Sequence, residues 1–174
     1  TTANFSVTIT GTNDAPTIQI VDASGIITDG VRLSDNGTIT FTDLDLTDRP
    51  VGTEVTKSVN AVGQDGITPL VLTEQQRSDI ENAFSIVNVD TNVNNGTITW
   101  DYTISQDKID FLGKDEVVTA VFTISVTDDE GAIATQDVIV TITGSNDTPT
   151  VSFENIDFEI PFGEVYNKDI SSLF

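Results

Sequence analysis

The residues with the types and spacing for chemistry are acids placed directly after predicted strands. Asp43 and Asp45 come just after an alternating stretch that ends at Phe41, and Asp128 comes just after one that ends at Val126. Strand ends gather at two poles of a β-sandwich, so these carboxylates converge and repel one another unless a cation lies between them. Calcium fits this place, because it takes about six to eight oxygen ligands and because alternate residues of an extended Asp-x-Asp point the same way.

One polar phrase occurs twice, each time after an alternating stretch. Residues 8–18 read TITGTNDAPTI, residues 141–151 read TITGSNDTPTV, and nine of the fourteen aligned pairs that begin at Phe5 and Val138 are identical. The two copies stand 133 residues apart, and a period of domain size indicates tandem modules.

This period divides the chain into three parts. Residues 1–14 are predicted to be the last strand and linker of a preceding module, and residues 15–147 a complete module. Residues 148–174 are predicted to be a linker and the start of a following module. The alternative for this last range is a C-terminal strand that belongs to the central module.

The composition excludes several functions. Among 174 residues, 28 are acidic and 7 basic, the net charge is -21, and His, Cys and Met are absent. So acidic a chain is not expected to bind nucleic acid or to insert into an anionic membrane. Without His and Cys, the usual zinc and copper sites and Cys-His or Ser-His catalysis are excluded. We expect no enzyme, although so many acids guarantee some of the close carboxylate pairs that glycosidases use.

The elements that must position the acids are mostly strands. Apolar residues alternate with Thr in several stretches, and Trp100 and Tyr102 fall on the apolar side of one of them, which predicts packing in the core. Turn signals separate the stretches at Asp29-Gly30, Asn36-Gly37, Asp65-Gly66, Asn95-Gly96 and Glu130-Gly131. The pattern predicts an all-β fold, an antiparallel sandwich.

One short helix is predicted between strands. Thr73 and Gln76 have the spacing of a capping box, and the helix is expected to run for about three turns toward Phe84, with Arg77 and Glu81 paired at i,i+4. A shorter helical turn is expected within residues 106–113, with its apolar side chains facing the core.

The junction phrase, with its partner VTDDEG, resembles the junctions of VCBS repeats and cadherin-like, bacterial Ig-like modules in large RTX adhesins exported by type I secretion. GTITFTDLD, GTITWDYTI and VFTISVTDDEGAIATQDVIVTITG also resemble these modules, and the likeness covers nearly all of residues 1–151. GKDE stands where that family often has a Gly-x-Gly-Glu phrase, so Glu116 matches although its loop differs, and the GGxGxD nonapeptides of RTX secretion signals are absent.

The resemblance implies an Ig- or cadherin-like sandwich that binds Ca²⁺ at the junctions between modules. One implied site combines linker residues with acids at the top of the central module: Asn13, Asp14, Asp43, Asp45 and Asp128. The other combines Glu116 at the bottom with Asn146 and Asp147 and with ligands of the next module, such as Asp157 or Asp169. The implied protein is a monomeric extender module of an extracellular adhesin on the bacterial surface, with a role in adhesion and biofilm formation and with adjoining modules as its partners.

Each candidate ligand also has a reading without a metal. Asp43 and Asp45 are alternatively solvated turn acids, residues 128–131 alternatively form only a hairpin turn, and Asn13 and Asn146 alternatively cap their own backbone as Asx-turns. Of the acids after strand residue Val126, Asp129 and Glu130 are expected to face solvent. The alternative function is an adhesin module that itself binds polysaccharide or a surface protein through residues 53–95. That segment offers only Phe84 as an aromatic platform, which counts against it.

Overall fold

The fold consists of two four-stranded sheets packed face to face. A computed structural model describes residues 2–20, 22–89 and 93–149. Its elements, in chain order, are β1 (Thr17–Ile20), β2 (Ser24–Thr28), β3 (Ser34–Thr42), β4 (Val51–Val62), α1 (Glu74–Glu81), β5 (Phe84–Asn88), β6 (Asn95–Thr103), a 3₁₀ turn (Gln106–Lys108), β7 (Val117–Thr127) and β8 (Ile133–Thr143).

The strand order identifies the class of sandwich. One sheet has the order β1-β3-β6-β5 and the other β2-β8-β7-β4. All neighbouring strands are antiparallel except β2 and β8, which pair in parallel from Ser24↔Ile139 to Thr28↔Thr143. This is the ABED and GFC arrangement of an Ig-like domain, in which the first strand divides between the two sheets. The predicted all-β Ig-like sandwich with one short helix is confirmed.

The period-two pattern places alternate side chains between the sheets. Trp100 and Tyr102 of β6 are buried as predicted, with 1% and 0% of their surface exposed. Phe84 stacks on Phe122 of the opposite sheet at a centroid distance of 4.1 Å, and the Tyr102 hydroxyl donates to the Ile80 carbonyl over 3.1 Å. These contacts join both sheets and the helix in one core.

Two predicted turns lie in strands instead. Gly37 is inside β3, opposite Trp100, and a Cβ atom on it would lie 2.6 Å from the indole ring. The indole nitrogen donates to the Asp22 carbonyl over 2.8 Å. The Asn36-Gly37 prediction was therefore wrong, because this glycine makes room for a core side chain. Asn95-Gly96 likewise begins β6, whereas the glycines of the other three predicted turns have positive φ angles.

The helix begins where the capping box predicts. Thr73 accepts from the Gln76 amide, and the Gln76 side chain accepts from the Thr73 amide. The helix is shorter than predicted because the chain turns into β5 at Phe84, whose side chain is buried in the core. The predicted pairing of Arg77 with Glu81 is replaced, since the Arg77 guanidinium donates to the Val59 carbonyl of β4 over 2.8 Å. The second helical turn is confirmed as the 3₁₀ turn, which is followed by the fully buried Ile109 and Leu112.

The segment before β1 crosses one pole of the sandwich. Residues 2–16 form no strand, and Phe5, Val7 and Ile9 expose 93%, 70% and 91% of their surface. The strand predicted within residues 1–14 is therefore not formed here, because these side chains pack against no sheet, whereas their assignment to a preceding module stays a prediction. Residues 150–174, which carry most of the predicted following part, lie outside the described residues. No helix in the described part of the chain is long and apolar enough to cross a membrane.

Candidate metal centre

Three buried carboxylates meet at the pole where the N-terminal segment arrives. Asp43 follows β3, Asp48 lies in the β3–β4 loop, and Asp128 follows β7. One oxygen of each lies within 4.8 Å of the others, and the residues expose only 6%, 3% and 6% of their surface. The reading of Asp43 as a solvated turn acid is therefore wrong.

Two oxygens of this acid cluster (Asp43, Asp48 and Asp128) have no hydrogen-bond partner. Oδ2 of Asp43 and Oδ2 of Asp48 are both buried and unpartnered. A buried acceptor without a donor destabilises the fold, and a buried negative charge does so more strongly. The two oxygens are thus free to bind a cation.

The part of the chain that the structure describes places no basic side chain in an ion pair with this cluster. The Arg49 guanidinium, next in sequence to Asp48, donates to the carbonyls of Leu46 and Asp48 over 3.2 and 2.6 Å. The ion pairs found within the described residues lie elsewhere: Arg32–Asp35, Lys57–Glu54, Lys108–Asp79 and Lys114–Asp115. Within the described residues, no basic side chain is therefore paired with the charge of the cluster.

Backbone hydrogen bonds fix two of the acids. Oδ1 of Asp43 accepts from the Asp45 amide over 2.9 Å, and the Asp43 backbone pairs with Asn94 through its amide and its carbonyl. Oδ1 of Asp128 accepts from the amides of Glu130 and Ala132 over 3.0 and 2.7 Å. The hairpin-turn reading of Asp128 therefore holds for one oxygen, and the other oxygen faces the linker.

The linker contacts the same pole. The Asn13 side-chain nitrogen donates to Oδ2 of Asp128 over 3.0 Å, and the Asp14 amide donates to Oδ2 of Asp45 over 2.7 Å. An open cavity of about 260 Å³ lies between the linker and the β3–β4 loop. Its lining consists of Gly11, Thr12, Asn13, Asp45, Thr47, Asp48 and Glu130. All five residues of the first predicted site are thus brought to this pole.

The pKa shifts report the crowding of negative charge. Burial raises the pKa of Asp48, and the charges of Asp45, Asp43 and Asp128 raise it further. Partial desolvation at the cavity wall raises the pKa of Glu130, although this residue is exposed, and the charges of Asp48 and Asp128 raise it further. The pKa of Asp128 is lowered, chiefly by the hydrogen bond from Asn13. A cation placed among these groups would favour the ionised form of each one.

The second predicted site is not assembled. Oε2 of Glu116 accepts from the Gly113 amide of its own loop over 2.9 Å. Asn146 and Asp147 are exposed, and the Asn146 side chain reaches only the Asp147 carbonyl at 3.5 Å. Asp157 and Asp169 lie outside the described residues. The assignment of these residues to a calcium site stays a prediction.

Sequence reasoning missed Asp48, the most buried member of the cluster. Asp48 is the third acid of the phrase FTDLDLTD, and a turn closed by its own amide on the Asp45 carbonyl, at 3.2 Å, brings it back to Asp43. The sequence signal was a third acid, three residues after the second member of the Asp-x-Asp pair. Glu130 is exposed as expected, but it lines the cavity.

Comparisons with known proteins find distant structural likenesses. No protein-family model matches the chain, and no curated protein sequence matches it. The ASH / PapD-like domain of human CEP192 is similar in structure, with 9% identity and a TM-score of 0.43 over 84% of this chain and 96% of that one. The sialic acid binding region of a Streptococcus sanguinis adhesin has 16% identity and a TM-score of 0.38 over 76% of this chain and 29% of that one. Murine CRIg has 11% identity and a TM-score of 0.30 over 75% of this chain and 98% of that one.

Proposed function

We propose that this chain is an extender module of a bacterial cell-surface adhesin, and that Ca²⁺ bound at the pole of the acid cluster makes it rigid. The observation that carries the proposal is the pair of buried, unpartnered oxygens on Asp43 and Asp48. A buried carboxylate oxygen without a donor, beside two other carboxylates, is stabilised by a hard cation that takes oxygen ligands.

The described residues offer oxygen ligands of the kind that calcium takes. Asp43, Asp48 and Asp128 supply three carboxylates, and Asp45 and Glu130 stand at the adjoining cavity. Backbone carbonyls and water complete such sites in proteins. A set made only of oxygens favours calcium or magnesium over zinc or copper.

Asn13 connects the site to the linker. Its side-chain amide now donates to Asp128, and rotation of that amide would present its oxygen to a cation instead. Asp14 contributes its backbone amide to Asp45 in the same region. Calcium bound here would therefore hold the linker against the module, and a chain of such modules would be stiff.

This mechanism suits a protein that leaves the cell through type I secretion. A chain with a net charge of -21 repels itself in its compact form when cations are scarce. Calcium outside the cell would stabilise the folded state, because it binds that state alone. We propose an extracellular location, a role in adhesion and biofilm formation, and adjoining modules of the same chain as the partners.

The alternative, a module that itself binds polysaccharide or a surface protein, has less support. Phe84, the aromatic residue available in residues 53–95, is only 6% exposed and stacks in the core. A cavity of about 460 Å³ lies against the β1-β3-β6-β5 sheet, but its lining is mostly Thr, Gln and Asn, with Phe41 1% exposed. We also propose no enzymatic activity.

The direct test is isothermal titration calorimetry of the full chain with CaCl₂ and, separately, with MgCl₂ at equal ionic strength. We expect saturable calcium binding that Asp43→Ala abolishes or weakens at least tenfold, with weaker magnesium binding. Asp137→Asn is the control, because this exposed acid lies on β8 and contacts Thr123. An absence of saturable calcium binding at millimolar concentration would overturn the proposal.

A further inference from the structure

A second buried aspartate lies at the opposite pole and holds the outgoing linker. Asp29, which follows β2, is 0% exposed. Its Oδ2 accepts from the Ser145 amide over 3.1 Å and from the Ser145 hydroxyl over 2.9 Å. Its Oδ1 accepts from the Gln106 side chain, whose oxygen accepts in turn from the Gly30 amide. Both oxygens are partnered, so this carboxylate is stabilised by the protein alone.

The internal repeat extends the contact between Asp29 and Ser145 to the junctions between modules. Ser145 aligns with Thr12, so both copies of the phrase have a hydroxyl directly before Asn-Asp. In this chain, the pole of the acid cluster contacts the next two residues, Asn13 and Asp14. In successive modules, the residue with the hydroxyl would be held by the module before it and the next two residues by the module after it.

No free residue remains between these two attachments. Adjacent Cα atoms are about 3.8 Å apart, so a linker held at consecutive residues brings the facing poles into direct proximity. A flexible connection would need several unattached residues. The linker therefore leaves no room for a hinge.

Each pole also exposes apolar side chains that such proximity would cover. Leu44 and Leu46 alternate with Asp43 and Asp45 in the β3–β4 loop, and each exposes 79% of its surface. At the other pole, Val31 is 83% exposed and lies two residues after Asp29, next to Gly30, whose Cβ position is 3.8 Å from the Ser145 hydroxyl.

We propose that Asp29 is a metal-independent anchor for the outgoing linker. It makes consecutive modules stack pole against pole, with the surface around Val31 of one module against Leu44 and Leu46 of the next. The partner of this surface is the following module of the same polypeptide. The stacking rests on the proposed function, since it takes the chain as one module among several, whereas the anchor needs no calcium.

The anchor is tested in the full chain by amide hydrogen exchange at Ser145, measured by NMR in the presence of chelator. We expect protection in the wild type, loss of at least tenfold in Asp29→Asn and in Ser145→Ala, and wild-type protection in Ser145→Thr, which keeps the hydroxyl. Asp137→Asn is the control for a change of charge. Because Ser145→Ala keeps the buried core, its amide pattern in β7 separates loss of the anchor from loss of the fold. An unprotected Ser145 amide in the wild type would overturn the anchor.

The stacking is tested in the full chain with residues 15–147 duplicated in place, which creates one natural junction. Spin labels on the two modules report the distribution of distances between them. We expect one narrow distribution that broadens in the double variant Leu44→Ser, Leu46→Ser, and no change in the control Ile139→Ser, whose side chain is 45% exposed on a sheet face.

Equal distributions in all three proteins would overturn the stacking. The proposed function and the anchor can also fail separately. If the chain binds no calcium but Ser145 is still protected, the proposed function is contradicted and the anchor is not. The reverse result contradicts only the anchor.

Discussion

Asp48→Asn is predicted to change stability in opposite directions with and without calcium. The substitution keeps the size of the side chain and removes one negative charge from the acid cluster. In chelator, the variant should melt at a higher temperature than the wild type, because Asp48 is buried beside Asp43 and Asp128 and has an unpartnered oxygen. With calcium, the order should reverse, because a ligand is lost.

The expected change in Tm on adding calcium follows from the linkage between ligand binding and folding. Calcium at 100 times its Kd stabilises the folded state by about 2.7 kcal/mol, which for a domain of this size raises Tm by roughly 10 °C. If loss of one carboxylate weakens binding about 100-fold, the same calcium concentration contributes only about 0.4 kcal/mol, or roughly 1 °C.

The assay is thermal unfolding followed by circular dichroism, in excess chelator and in calcium at a fixed ionic strength. Asp101→Asn is the matched control, since the side chain of this exposed acid on β6 accepts from the Thr103 hydroxyl and the net charge changes equally. In Asp101→Asn, Tm should change by the same amount with and without calcium. A decrease in Tm of Asp48→Asn by the same amount with and without calcium would refute the reasoning, because it would make Asp48 a structural acid.

Three further predictions concern the scaffold. Gly37→Ala should destabilise the protein by about 1–3 kcal/mol in urea unfolding, because the new Cβ would lie 2.6 Å from the Trp100 ring; a variant as stable as the wild type would contradict this packing. Hydrogen bonds, first from the Thr68 hydroxyl and then from backbone amides, lower the pKa of Asp65 to about 2. Its contribution to stability is therefore full above pH 4 and is lost as the pH falls toward 2, so Asp65→Asn should be destabilising at pH 6 and neutral at pH 2. Thr73→Ala should cost about 1 kcal/mol by removing the helix N-cap, whereas Thr73→Ser should restore most of it, as measured by urea unfolding.

The parts of the fold that were predictable are those set by local pattern. Alternation of apolar residues with Thr located β3, β6 and β7, and the capping box located the helix start at Thr73. These signals act within a few residues and need no knowledge of tertiary contacts. The errors came where a distant residue decides the conformation. Asn36-Gly37 has the local chemistry of a turn, but Trp100, far along the chain, holds Gly37 in a strand.

The candidate site shows the same division. The position of Asp43 and Asp128 after strands was enough to predict that they meet. Asp48 lies in a loop, and loop geometry depends on hydrogen bonds such as the one from its amide to Asp45, which no periodicity indicates. The anchoring of Ser145 by Asp29 was also missed, because a single acid in a predicted turn is usually a solvated turn residue.

Asp29 and Asp48 are both buried acids, but we give them different roles: Asp29 a structural one, and Asp48 that of a candidate metal ligand. Both are almost completely buried, with 0% and 3% of their surface exposed, and neither is in an ion pair with a side chain of the described residues. The oxygens of Asp29 accept from Gln106 and from two groups of Ser145, so its charge is compensated by dipoles that folding brings to it. Asp48 has an oxygen with no donor and stands among like charges that raise its pKa. Burial alone therefore does not make an acid a candidate ligand. Burial combined with an unmet acceptor does, because a cation would stabilise that arrangement. Removing calcium should consequently loosen the pole at Asp48 and leave the pole at Asp29 intact, and amide exchange at Ala132 and Ser145, recorded in one sample, would show whether the two poles respond separately.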